Sequence, residues 1–151
     1  MFELSDPEAF NRIVWEIVRQ VPEGQVTTFG QIAGMIPAPE GIEPEVYQRL
    51  GPRWVGDAMN AVSWKDDKTV PWHRVINSKG TISLPPETQA AALQRARLRH
   101  EGIEFNSREQ VDFDQWGWEG PEPDWCAEMG LTMPKSLRSR PAKGPQQLSF
   151  F

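Results

Sequence analysis

Near the start of the chain, apolar residues recur at three- and four-residue steps: Phe10, Ile13, Val14, Ile17, Val18 and Val21, with polar residues between them. On a 3.6-residue helix that spacing makes one apolar stripe, so an amphipathic helix is predicted, capped by Ser5 or Asp6 and ended near Pro22 and Gly24. Residues 26–29, VTTF, are short and β-branched, and Thr28 can cap a second helix running through Gln31, Ile32 and Ala33 before Pro37. PAPEGIEP then reads as a loop. A third helical piece spans residues 45–50 and a fourth residues 53–62, divided at Gly51-Pro52 because proline removes a helical donor.

Further along, the apolar pattern shortens. WKDDKT is a charged loop, and residues 74–76 and 81–84 flank the four turn-formers Asn77-Ser78-Lys79-Gly80, which predicts a small hairpin or wing. Ala91, Leu93, Ala96 and Leu98 favour a helix over residues 87–100, with Gly102 as its left-handed stop. Beyond Asn106 the periodicity fails, and no internal repeat is found. Short helices, tight turns and one small hairpin predict a mainly α, winged-helix-like helix-turn-helix fold.

Length and composition narrow the class. The 151 residues suit one folded unit with appendages, and the 14 prolines and mean hydropathy of -0.55 predict a good share of irregular chain. No apolar run approaches the roughly 20 residues needed to cross a bilayer, and MFELSDPEAF lacks the basic start and apolar stretch of a signal peptide, so a cytoplasmic protein without membrane contact is expected. One cysteine, Cys126, excludes an internal disulfide framework and a cysteine-type zinc site; neither metal nor cofactor is expected.

The net charge of -5 is unevenly spread. Residues 101–128 hold nine acids against Arg108, whereas residues 129–151 hold Lys135, Arg138, Arg140 and Lys143 with no acid. Any surface for nucleic acid must therefore be local.

The chemistry concentrates in PWHRV followed by INSKG, residues 71–80. Together with VPEGQVTTFGQIA, PRWVGDAM and RHEGIEF, these motifs resemble the DNA-binding domain of the alkyltransferases that remove alkyl groups from the exocyclic oxygen of guanine. The resemblance covers residues 8–105, and its closest form is the alkyltransferase-like group, in which Trp72 stands in place of the nucleophilic cysteine. It implies the fold of the alkyltransferase C-terminal domain, with residues 1–105 as the DNA-binding unit and 106–151 as an acidic, Trp-rich and then basic extension. It also implies a lesion pocket formed by Phe29, Trp72, His73, Val75, Pro85 and Glu101, and DNA contacts from Thr28, Arg53, Trp54, Gly56, Asn60 and Ser78. Arg53 would insert into the base stack while the target guanine rotates out.

Elementary chemistry agrees on the central point. Alkyl transfer needs a soft nucleophile that exists as an anion near neutral pH; a thiol beside a histidine supplies one and an indole does not. His73 and Glu101, the family's supporting pair, would then remain as a histidine with an orienting hydrogen bond and no thiol to serve. Two positions depart from the family. Phe29 replaces a tyrosine, keeping the ring and losing the hydroxyl, which predicts less assisted flipping. Leu84-Pro85-Pro86 stands where some relatives place an aromatic residue or an arginine, which predicts a differently shaped pocket without that cation-π partner.

In the extension, Trp116, Trp118 and Trp125 lie among acids and either pack back on the domain or dock a protein. PKSLRSRPAKGP reads as a basic flexible linker. The final residues Gln147, Leu148, Ser149, Phe150 and Phe151 resemble the peptide by which bacterial repair proteins bind the sliding clamp.

The expected function is recognition of alkylated guanine in double-stranded DNA by nucleotide flipping, without catalysis, with nucleotide excision repair proteins and the sliding clamp as partners at the nucleoid. Two other classes fit the same residues: an enzyme using an unrecognised group in the pocket, and a winged-helix regulator that ignores damage.

Overall fold

The computed structural model describes residues 4–139. Helix α1, Pro7–Arg19, begins where Asp6 accepts a hydrogen bond from the Ala9 amide at 3.0 Å, and it buries Phe10, Val14, Ile17 and Val18. Strand β1, Thr27–Thr28, leads directly into α2, Phe29–Met35, whose N-cap is the Thr28 hydroxyl accepting from the Gln31 amide. Helix α3, Pro44–Asn60, completes a helix-turn-helix pair with α2, and both pack against α1.

Helix α3 is continuous through Gly51-Pro52, where the sequence pattern predicts a break. Proline at this point forfeits one bond, to the carbonyl of Gln48, but its fixed φ is helical. The buried stripe Tyr47, Gly51, Val55 and Ala58 runs across the site without changing face, and packing of that stripe outweighs the lost bond. Gly51 suits this contact: a Cβ would sit 3.1 Å from that of Ala33, so a larger residue would push α3 a few tenths of an ångström away from α2. The Tyr47 hydroxyl donates to the Ala33 carbonyl at 2.8 Å and fastens the same contact.

A second difference concerns the small sheet. Strand β2, Val75–Ile76, pairs in parallel with β1 in the register Thr27–Val75 and Thr28–Ile76, instead of forming a hairpin with residues 81–84. The turn at Asn77 does form, closed by the Asn77 amide donating to the Thr81 carbonyl at 3.1 Å, but no strand follows it. Gly80, at φ +82°, turns the chain toward Val111; its carbonyl accepts from the Val111 amide, and a Cβ would meet the Val111 oxygen at 2.7 Å.

A single 3₁₀ turn, Trp72–Arg74, precedes β2, and α3 is followed across the loop by α4, Gln89–His100, capped by Thr88. Beyond it, α5, Phe113–Trp116, and α6, Pro123–Met129, fold back on the body. Trp118 and Cys126 are buried in the same apolar cluster as α1, α2 and α3, and residues 116–118 pair alongside Val26. Of the two roles open to the tail tryptophans, packing is the one Trp118 takes. Buried Gln31 fixes this arrangement: its Nε2 donates to the carbonyls of Trp118 and Lys135, and its Oε1 accepts from Thr27. No helix among the described residues is long and apolar enough to cross a membrane.

Candidate nucleic-acid interface

A cavity of about 250 Å³ opens between α3, the 3₁₀ turn and the chain after the Asn77 turn. Its walls are mainly apolar: Phe29 from the start of α2, Gly56 and Met59 from α3, Trp72, Val75, Leu84 and Pro85, with Asn60, Ser83 and Gln94 as polar edges. Four of the pocket residues expected from sequence, Phe29, Trp72, Val75 and Pro85, thus share one concavity, joined by Gly56 and Asn60 of the expected DNA surface. Arg53, Gly56 and Asn60 lie at successive three- and four-residue steps of α3, and Arg53 is exposed without a charge partner among the described residues. Ser78 is exposed at the neighbouring turn.

The structure does not bring His73 and Glu101 into that cavity. They line a separate groove with Glu23, Asp67, Arg97 and His100. There Glu101 Oε2 accepts from His73 Nε2 at 2.6 Å and from Arg74 Nη2 at 2.7 Å, while Oε1 accepts from Arg74 Nε and from the Gly24 amide. Burial alone would raise the Glu101 carboxyl, but the bonds from Arg74, His73 and Gly24 prevail and hold it at about 2. Burial pushes His73 below its ordinary value despite Glu101. Facing an ionised carboxylate, its Nε2 is the donor, and Nδ1, buried, has no hydrogen-bond partner among the described residues.

Two more of the expected DNA contacts are placed elsewhere. Thr28 is 3% exposed and its hydroxyl is used as the α2 cap, so it has nothing to present to a phosphate. Trp54 is half-buried in an aromatic cluster, edge-on to Phe10 at 6.4 Å and tilted against Tyr47 at 6.2 Å. Both serve the fold that carries the surface.

The residues that sequence reasoning missed surround Trp72. Its indole N–H donates to Asp67 Oδ1 at 2.6 Å, and the Arg97 guanidinium lies 5.5 Å from the centre of its ring. Arg97 in turn holds both oxygens of Asp67, at 2.7 and 2.8 Å. The bonds from Arg97 and then Trp72 lower the Asp67 carboxyl to about 2. Trp72 therefore has a cation-π partner, supplied by α4 and not by the segment around Pro85. No local pattern announces it, because Asp67 and Arg97 each look like solvated charge until the chain folds. Gln94, also unforeseen, ties α4 to the 3₁₀ turn by donating to the carbonyls of His73 and Val75.

Comparison with known proteins identifies the family. The family described as 6-O-methylguanine DNA methyltransferase, DNA binding domain, matches residues 9–103. The DNA base-flipping protein of Escherichia coli strain K12 is 33% identical over 117 residues, covering 77% of this chain and 79% of that protein. Alkyltransferase-like protein 1 of Schizosaccharomyces pombe is 34% identical over 118 residues, 78% of this chain and 95% of that one. The crystal structure of S. pombe Atl1 with damaged DNA containing O6-carboxymethylguanine superposes with a TM-score of 0.56 at 32% identity, covering 74% of this chain and 95% of that chain. The helix-turn-helix pair, the Trp72 cavity and these matches place the chain in the alkyltransferase-like family, built on the DNA-binding domain of the 6-O-methylguanine DNA methyltransferases.

Proposed function

We propose that this chain recognises O6-alkylguanine in double-stranded DNA by rotating the damaged nucleotide into the cavity beside Trp72, and that it leaves the alkyl group in place. The observation that carries the reading is the side chain at position 72: an indole whose N–H is already committed to Asp67, one residue before His73, which is bonded to Glu101. The supporting pair of a transferase is kept, and the group that would accept the alkyl carbon is not. Cys126 offers no substitute, because it is buried in α6 and burial raises its thiol.

In this reading α3 lies along the groove with Arg53 taking the space of the extruded base, Gly56 allowing close approach, and Asn60 and Ser78 contacting the backbone. Flipping costs a few kcal/mol of stacking and pairing, and less for a base whose alkylation has already weakened its pairing. That difference gives selectivity before any contact inside the pocket. Residues 1–105 carry this surface, the extension packs back on it through Trp118 and Cys126, and its remaining surface serves partners, nucleotide excision repair proteins among them, at the nucleoid of the cytoplasm. Residues 147–151 lie outside the described residues; as a short peptide of Gln, Leu, Ser and two Phe with apolar anchors, they resemble a sliding-clamp ligand.

The test uses a duplex with one O6-methylguanine and its unmodified counterpart, followed by protein mass and DNA integrity after incubation. Tighter binding of the lesion with both molecules unchanged supports recognition without chemistry. A protein heavier by the alkyl group, or a released base, would indicate an enzyme, and equal affinity for both duplexes a regulator. Arg53→Ala should weaken lesion binding by roughly tenfold or more if its side chain holds the flipped state open; unchanged affinity would remove Arg53 from that role. Deleting residues 147–151 should abolish clamp binding and spare DNA affinity, and clamp association that survives the deletion would make the terminal motif a coincidence.

A further inference from the structure

Trp72 lines the apolar cavity with Phe29, Gly56, Val75 and Pro85, and its two charged partners, Asp67 and Arg97, line the separate groove. Three contacts fix the ring: the indole N–H on Asp67 at 2.6 Å, Arg97 over the ring at 5.5 Å, and the two-pronged Arg97–Asp67 ion pair that joins the first two. Each of the three groups is tied to both others.

The anchors are themselves anchored. Asp67 belongs to a loop folded on itself, in which the Thr69 and Val70 amides donate to the Asp66 carbonyl and the Ser63 hydroxyl bonds the Asp66 carboxylate. Arg97 projects from α4, whose Gln94 holds the carbonyl of His73 within the 3₁₀ turn that carries Trp72 and that of Val75 just after it. A tryptophan hinged only at its Cα–Cβ and Cβ–Cγ bonds would swing when a bulky group entered the cavity. This one meets a charged strut.

We propose that Asp67 and Arg97 are positioning residues that set the selectivity of the cavity for alkyl size, by holding Trp72 as a rigid wall. The proposal rests on the lesion-binding reading above and adds to it the source of discrimination. Arg97 lines the groove and is not among the residues lining the cavity, so it needs no contact with the lesion. With the strut intact, a small alkyl group packs against a fixed indole and a large one must fit the space that remains. With it removed, the ring yields, and small lesions lose a firm contact while large ones gain room. Because the Asp67 carboxyl is held at about 2, the strut stays charged throughout the pH range in which DNA binding is measured.

The experiment compares the full-length wild type with Arg97→Met, Asp67→Asn and Arg97→Lys. Affinities are measured for three duplexes: unmodified, O6-methylguanine and O6-benzylguanine. The Trp72 indole N–H is followed by ¹⁵N NMR, assigned by its loss in Trp72→Phe. Arg97→Met and Asp67→Asn should shift the methyl-to-benzyl affinity ratio toward benzyl by about three- to tenfold, the scale of a lost cation-π contact with its hydrogen bond. Their Trp72 indole resonance should move upfield and exchange faster with solvent, while affinity for unmodified DNA stays as in the wild type. Arg97→Lys, which keeps a cation over the ring, should recover part of the ratio. A ratio unchanged in both variants, when the wild type still prefers lesions, overturns the proposal alone. A wild type that does not separate lesions from plain duplex overturns the lesion-binding reading, and the selectivity role with it.

Discussion

Glu101→Ala is expected to cost about 3–5 kcal/mol of folding stability, the scale for removing one member of a buried ion pair. Its carboxylate, 6% exposed, is the meeting point of three donors from two parts of the chain: the adjacent His73 and Arg74, and the Gly24 amide. Arg74 also donates to the Val21 carbonyl, so the cluster fastens the end of the α1 segment to the 3₁₀ turn and to the end of α4. Without the carboxylate, the Gly24 amide loses its acceptor and the Arg74 guanidinium keeps only the Val21 carbonyl, in a nearly dry place. For a domain of this size that loss lowers the melting temperature by roughly 6–20 °C. Urea unfolding measures it directly, and a loss under about 1 kcal/mol would show that Glu101 does not join these segments.

The same cluster sets an acid limb. Glu101 is held at about 2 against an ordinary 4.5, so its contribution is complete above pH 4.5 and is lost as pH falls from there toward 2. His73 is lowered, so below its ordinary 6.5 the unfolded chain takes up the proton more readily than the folded one. Both groups therefore remove stability on acidification, His73 first. Glu101→Gln should flatten the limb between pH 4.5 and 2 while leaving lesion affinity at pH 7 within about twofold, because Glu101 lies outside the cavity. In a transferase this pair would serve a thiol; in this chain it serves the fold.

How much of this could be read in advance depends on how local each cause is. Helix α1 was legible because one buried face imposes its spacing on 13 consecutive residues. The Thr28 cap was legible for the same reason, but its burial was not, since exposure depends on what packs over β1. The break placed at Pro52 overrated a local rule against a packed stripe that crosses it. The parallel pairing of Thr27–Thr28 with Val75–Ile76 joins segments 48 apart in number and leaves no signature in either. In the site, Trp72, His73 and Glu101 were found through a motif, which named their neighbours and not which concavity each one lines. Asp67 and Arg97 were missed because their partners are 30 residues apart, and charge alone on a loop or helix reads as solvation. Trp118 shows the reverse case: its neighbours are acidic, yet its ring is core.

Trp72→Ala is expected to weaken binding of an O6-methylguanine duplex by roughly five- to a hundredfold, which corresponds to the 1–3 kcal/mol that stacking of one base on an aromatic ring contributes. The loss should shrink for O6-benzylguanine, because a large alkyl group can occupy the space the indole leaves, whereas a methyl group cannot reach across it. Trp72→Phe separates the two uses of the side chain. It keeps an apolar ring on the cavity and deletes the N–H that Asp67 accepts, so affinity should fall less than in the alanine variant while the wall becomes less fixed. Asp67 keeps its pairing with Arg97 in both variants, so neither one strands a charge. A loss of equal size for methyl, benzyl and unmodified DNA would mean that Trp72 only fills the place of a vanished nucleophile. A loss graded by alkyl size means that the indole is the surface on which the lesion is read.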